Sequence, residues 1–129
     1  MAVLIQPNGG ERPSVFAAAA TAVVVNRDSD TIVAMRADEA SPHTMENGRR
    51  KAYTAMTFKQ PTAEYAKKLQ DPTSVAHQQV TLPNVIAIPG GQPIKSGNQI
   101  IGGVGVSGSP GVDDERVNTG LEKVKDQLQ

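Results

Sequence analysis

The sequence predicts an α/β chain of the α+β kind, a five-stranded antiparallel sheet with helices packed on it. Three observations carry this. A strand hairpin comes first, then helical segments, then three further strands and a final helix, an order that gives an antiparallel sheet with helices on its face. The segment from Gln99 to Ser107 alternates between two unlike faces, as a strand does. Near the C-terminus, Val117, Leu121, Val124 and Leu128 recur at spacings of four, three and four, one stripe of an amphipathic helix.

Each element follows from its residues. Positions 1–16, with Pro7, Asn8, Gly9, Gly10 and Pro13, read as an irregular N-terminal arm, and 17–129 as a single domain. A chain of 129 residues buries about two-thirds of its unfolded surface, enough for one core. The apolar run into Val23, Val24 and Val25 makes a strand over 17–26. Asn26-Arg27-Asp28-Ser29-Asp30 then turns the chain into a second strand, 31–37. Ser41 stands as an N-cap and Pro42 in the first turn, so a helix runs on to about Lys59. Thr62 caps a second helix to about Leu69, which Asp71-Pro72 breaks, and a short helical piece spans Ser74 to Val80. Strands follow at 85–88, 92–95 and 99–107, the last two joined by a Ser96-Gly97-Asn98 hairpin turn. The last helix runs from Asp113 to Leu128, with Asp113, Asp114 and Glu115 in its first turn, where the dipole favours carboxylates.

The last strand is the most informative stretch. Ile100, Val104 and Val106, with Gly102, form one face; Ile101, Gly103, Gly105 and Ser107 form the other. Glycines cost a strand packing and entropy, so two on one face mark a close approach to the backbone. A helix, a neighbouring subunit or a flat ligand would each satisfy that reading.

Composition excludes several functions. Thirteen basic residues balance thirteen acidic ones, and two Phe, two Tyr and no Trp leave no platform for base stacking. No nucleic-acid partner is expected. Without cysteine there is no disulfide, thiolate nucleophile or Cys-ligated metal. The apolar run Val15 to Val25 is eleven residues, too short to span a bilayer. Arg12 between Glu11 and Pro13 makes a poor signal-peptide n-region, so no membrane association and a cytoplasmic location are expected. Gly90-Gly91 is followed by a strand, not a helix N-terminus, which removes a phosphate-cradling loop. Ser107 sits in an incomplete G-x-S-x-G, with Ser109 in the place of the second glycine.

Pro89-Gly90-Gly91-Gln92-Pro93-Ile94 and Ile101-Gly102-Gly103-Val104-Gly105-Val106-Ser107-Gly108, followed by Asp114-Glu115, resemble the GlcG/HbpS family. These are the haem-degrading-domain proteins, which include the C-terminal domain of PduO-type proteins. Val23-Val24-Val25-Asn26 with Ile32 to Asp38 resembles the family's first hairpin, Lys51-Ala52-Tyr53-Thr54-Ala55 its KA.TA segment, and Gly120-Leu121 its C-terminal GL. The resemblance covers roughly residues 17 to 125. It implies a PAS- or profilin-like sandwich and a haem-binding, haem-degrading or haem-sensing role. Family members begin with a long amphipathic helix, for which about sixteen residues ahead of the first strand leave no room. The sheet face it would cover is then expected to meet a partner chain, because large bare apolar faces are rare in monomers. A homo-oligomer is the expectation.

Within that frame, haem is the expected cofactor and small-molecule partner. Iron in a Cys-free protein is best held by His, Met or Tyr. His43, in the first turn of the helix capped by Ser41, is the candidate ligand, with Glu46 or Asn47 able to orient it. The plainer alternative is a solvated residue. His77, in a polar Ala-His-Gln-Gln setting, reads as surface. Lys51 and Arg36 are candidate anchors for a propionate or a substrate carboxylate, and Gly90-Gly91 the pocket wall. Lys51 has an equally good structural alternative, an ion pair to Asp38 or Glu39. Arg36 and Asp38 lie two apart and would face the same way. Two other readings stay open: a catabolic-operon accessory protein or minor enzyme binding a small organic acid or corrinoid, and a structural oligomeric module. No constellation assigns a reaction.

Overall fold

A computed structural model describes residues 19–108 and 111–128. The expected N-terminal arm, 1–16, and the absence of a long first helix lie outside the described residues. Strands β1 (Thr21–Asn26) and β2 (Thr31–Arg36) open the fold. Helices α1 (His43–Phe58), α2 (Thr62–Lys67) and α3 (Ala76–Gln79) follow, then β3 (Gly91–Ser96), β4 (Gln99–Ser107) and α4 (Asp113–Val124). Single 3₁₀ turns extend α2 over Lys68–Gln70 and α4 over Lys125–Gln127.

Among the described residues the sheet has four strands in the order β2-β1-β4-β3, every pair antiparallel. The expected strand at 85–88 is absent. Two of its backbone groups go to α1 side chains instead: Thr54 Oγ1 accepts the Ile86 N–H at 3.0 Å, and Arg50 donates to the Val85 carbonyl at 2.7 Å. Groups paired with side chains in this way are no longer available to a ladder.

Helices cover both sheet faces. On one, Ala22, Val24, Ile94, Val104 and Val106 form a core with Val117 of α4, and Leu121 and Leu128 pack beside them. On the other, Val23 and Val25 meet Ala52 of α1. The two strand glycines belong to this second face. A Cβ on Gly105 would stand 2.1 Å from the Gly48 carbonyl oxygen, and one on Gly103 2.3 Å from that of Ala52. Of the three approaches the glycine face allowed, the helix is the one realised. Ile101 corrects the strict alternation: Ile94 pairs with Gly102 and Lys95 with Ile100, so Ile101 is an extra, bulged residue. It packs with the α4-side core, away from the glycines.

Two expected caps are also corrected. Ser41 gives α1 its carbonyl, which accepts the Thr44 N–H and the Thr44 hydroxyl; no side chain caps the helix. Thr62 does not cap α2, because its hydroxyl accepts the Gly91 N–H at 2.8 Å. The run Arg49-Arg50-Lys51 fans out as consecutive helical residues do. Arg49 bonds Glu46 and Asn84, Arg50 reaches Val85, and Lys51 turns inward.

Candidate functional site

The five sequence-predicted site residues divide into an exposed pair and a buried trio. Arg36 ends β2 as the register partner of Thr21. The Thr21 hydroxyl lies 2.7 Å from that of Thr44, the second residue of α1. The same end of the sheet therefore carries Arg36 and the start of α1, where His43 stands. Both side chains are exposed, which for His43 is the solvated position of the plainer alternative. Among the described residues His43 makes no hydrogen bond: Glu46, expected to orient it, is bonded to Arg49. Arg36 makes no ion pair there either, with Asp38 or any other acid. His77 is exposed too, with Nε2 3.0 Å from the Asp71 carbonyl oxygen.

Lys51, Gly90 and Gly91 meet about two helical turns further on, some 12 Å along α1. The Lys51 side chain is 2% exposed, and its Nζ donates to the Val106 carbonyl at 2.9 Å and to Asp113 Oδ2 at 3.1 Å. Its partner is thus Asp113, not Asp38 or Glu39. Burial pushes the Lys51 amine below the ordinary lysine value, opposed by the charges of Asp113 and Asp114. Gly90 seals this ion pair. At φ +124 it brings the backbone so close that a Cβ would lie 2.5 Å from the Val106 carbonyl oxygen and 3.0 Å from Lys51 Nζ. Only glycine accepts that conformation and that space. A Cβ on Gly91 would likewise meet the Lys51 carbonyl oxygen at 2.4 Å.

Sequence reasoning missed Asp113 and Asp114 as partners in this cluster. Both read as dipole compensation in α4, yet Asp113 is 62 positions from Lys51 and pairs with it, while Asp114 Oδ1 accepts the Gly90 N–H at 3.3 Å. No local pattern announces such a pair. Chemically, the cluster is a clamp joining α1, the Gly90-Gly91 turn and the start of α4. At the exposed end, among the described residues, the His43 imidazole makes no hydrogen bond and the Arg36 guanidinium no ion pair. Among the described residues no group of three or more His, Asp or Glu is placed to hold a metal ion, and no helix is long and apolar enough to cross a membrane.

A four-stranded antiparallel sheet with helices on both faces, an exposed histidine at one end and a buried lysine clamp define a small α+β domain. The chain belongs to the HbpS-like family: the model described as haem degrading protein HbpS-like matches residues 14–122. A double mutant of HbpS from Streptomyces reticuli superposes with a TM-score of 0.76 at 29% identity, over 84% of this chain and 73% of that one. The PduOC–haem complex superposes with a TM-score of 0.73 at 24% identity, over 80% and 76% of the two chains, a likeness of fold. An uncharacterised 15.0 kDa protein of the dhaT-dhaS intergenic region in Citrobacter freundii is 32% identical over 95 residues. That match spans 73% of this chain and 66% of the relative's length.

Proposed function

We propose that this protein binds haem at the end of the sheet where α1 begins, with His43 as the iron ligand and Arg36 meeting a propionate. What supports the reading is the family, described as haem degrading, together with the placement of His43 and Arg36 at one end of the sheet. The residues present fit the group as donors: among the described residues the ring nitrogens of His43 make no hydrogen bond and Arg36 makes no ion pair. Bound haem would supply a redox-active iron. The chain's own residues do the rest. His43 holds the metal and Arg36 orients the macrocycle through a carboxylate, the pairing in which a planar guanidinium is strongest. Lys51 serves indirectly, since a buried ammonium bonded to Asp113 cannot meet a propionate in water; it fixes the helix that carries His43. Gly90 and Gly91 are the backbone of that clamp. We also propose that the protein works as a homo-oligomer.

Titration with haemin, followed at the Soret band, tests the site. The His43→Ala variant should shift or lose the band, and Arg36→Gln should weaken binding severalfold. His77→Ala should match the unaltered protein. Equal spectra for the two histidine variants remove His43 from the site.

A further inference from the structure

A groove at the opposite end of α1 lies between the outer edge of β3 and α4. It has a volume of ≈ 660 Å³, within the range of small-molecule sites. Its apolar lining comes from Pro61, Pro93, Leu121 and Leu128, and its charge from Lys59, Lys95 and Lys125 against Glu122. Lys125 is already bonded to Glu122. Lys59 and Lys95 are exposed and make no ion pair among the described residues. The groove therefore presents apolar walls and two uncompensated ammonium groups.

Lys59 adds an independent observation. It closes α1 in the left-handed conformation, φ 56, with its amide on the Ala55 carbonyl. Glycine is the usual residue at such a helix end, and a residue with a Cβ is disfavoured there by about 1 kcal/mol. A lysine stands at the groove in a position where glycine would relieve the backbone.

The occupant is not a peptide strand. Gly91 turns its N–H outward and loses it to Thr62 Oγ1, and Pro93, two residues on and in the same phase, has no N–H to give. Two successive donors of this edge are thereby removed, which blocks strand addition. We infer that the groove binds a small amphipathic carboxylate, its apolar body on Leu121, Leu128 and the prolines and its carboxylate between Lys59 and Lys95. The inference is independent of the haem proposal, because the sixteen residues of α1 put the groove about 24 Å from His43.

The test is a titration of the ¹⁵N-labelled full chain with octanoate, with octylammonium and acetate as comparisons. Octanoate should move the amides of Lys95, Gly97, Asn118 and Leu128, and a Lys59→Gln/Lys95→Gln double variant should bind at least tenfold more weakly. Lys59→Gly should raise the melting temperature yet weaken octanoate binding, a combination a purely structural lysine does not give. Octylammonium or acetate binding as well as octanoate would overturn the inference. So would shifts mapping outside the groove, or unchanged affinity in the double variant.

Discussion

Lys51 and Asp113 hold the interior of this protein together through two charges removed from water, with side chains 2% and 6% exposed. Taking Lys51 away removes the ammonium that faces the buried Asp113, and breaking a buried pair costs about 3–5 kcal/mol, whereas exchanging both for apolar residues is often neutral or stabilising. Lys51→Ala should accordingly lower the free energy of unfolding by that amount in urea. A Lys51→Met/Asp113→Leu double variant should recover most of it, and equal losses in the two would mean the pair is not the source. The pair also sets a pH dependence. Burial holds the folded-state amine below the ordinary lysine value, near 10.5, so the folded chain gives up this proton before the unfolded chain does. Between the two values the unfolded state carries more protons, and stability from this group rises with pH. The penalty is fully present below the folded value. Tyr65, whose hydroxyl burial pushes up, acts oppositely above its ordinary value. Stability of the unaltered protein, measured relative to the double variant, should therefore increase towards pH 10.5. A flat difference would contradict the assignment.

At the scale of elements, the contact between α1 and β4 decides the geometry of everything else. Gly48, Gly103 and Gly105 let a helix backbone lie against a strand backbone, and Val23 and Val25 close the sides. Gly105→Ala places a methyl against a carbonyl oxygen that belongs to a helix and cannot turn aside, so α1 must lift. A loss of about 3 kcal/mol is expected by denaturation. Gly97→Ala is the comparison, since nothing lies within 4 Å of its added Cβ and only the left-handed backbone opposes it. That change should cost about 1 kcal/mol. If the two variants were equally stable, the close approach would carry no energy. What the sequence made legible follows the same division. The first hairpin, the body of α1 and the α4 stripe are encoded locally and were readable. The Ser41 and Thr62 caps were not, because whether a hydroxyl serves its own helix depends on what packs against it. Thr62 faces Gly91 and serves it instead. Residues 85–88 look like a strand for their β-branched content, yet Arg50 and Thr54 of a distant helix take up their backbone groups.

The whole molecule shows why the candidate site was only half readable and what its free surfaces imply. His43 and Arg36 sit near a hairpin and a helix start close in sequence, so their shared end of the sheet could be anticipated. The Lys51–Asp113 clamp joins opposite halves of the chain and could not. The same long-range view separates the two sheet edges. The β3 edge is closed by Thr62 and Pro93, as argued above. Among the described residues no strand pairs with the outer edge of β2, Thr31–Arg36, and its Ile32 is 49% exposed. Ile32 is also the extra residue where Val24 pairs with Val33 and Val25 with Thr31, so a bulge interrupts the ladder beside it. A bulged edge resists open-ended strand stacking. A second copy meeting Ile32 side chain to side chain would instead bury apolar surface and stop at a closed assembly. Light scattering should return a multiple of 13.6 kDa. Ile32→Glu should lower that mass or make it concentration-dependent, because a carboxylate in the contact must be desolvated. A mass of one chain for the unaltered protein at every concentration would end the oligomer proposal, and an unchanged mass for Ile32→Glu would move the contact away from β2.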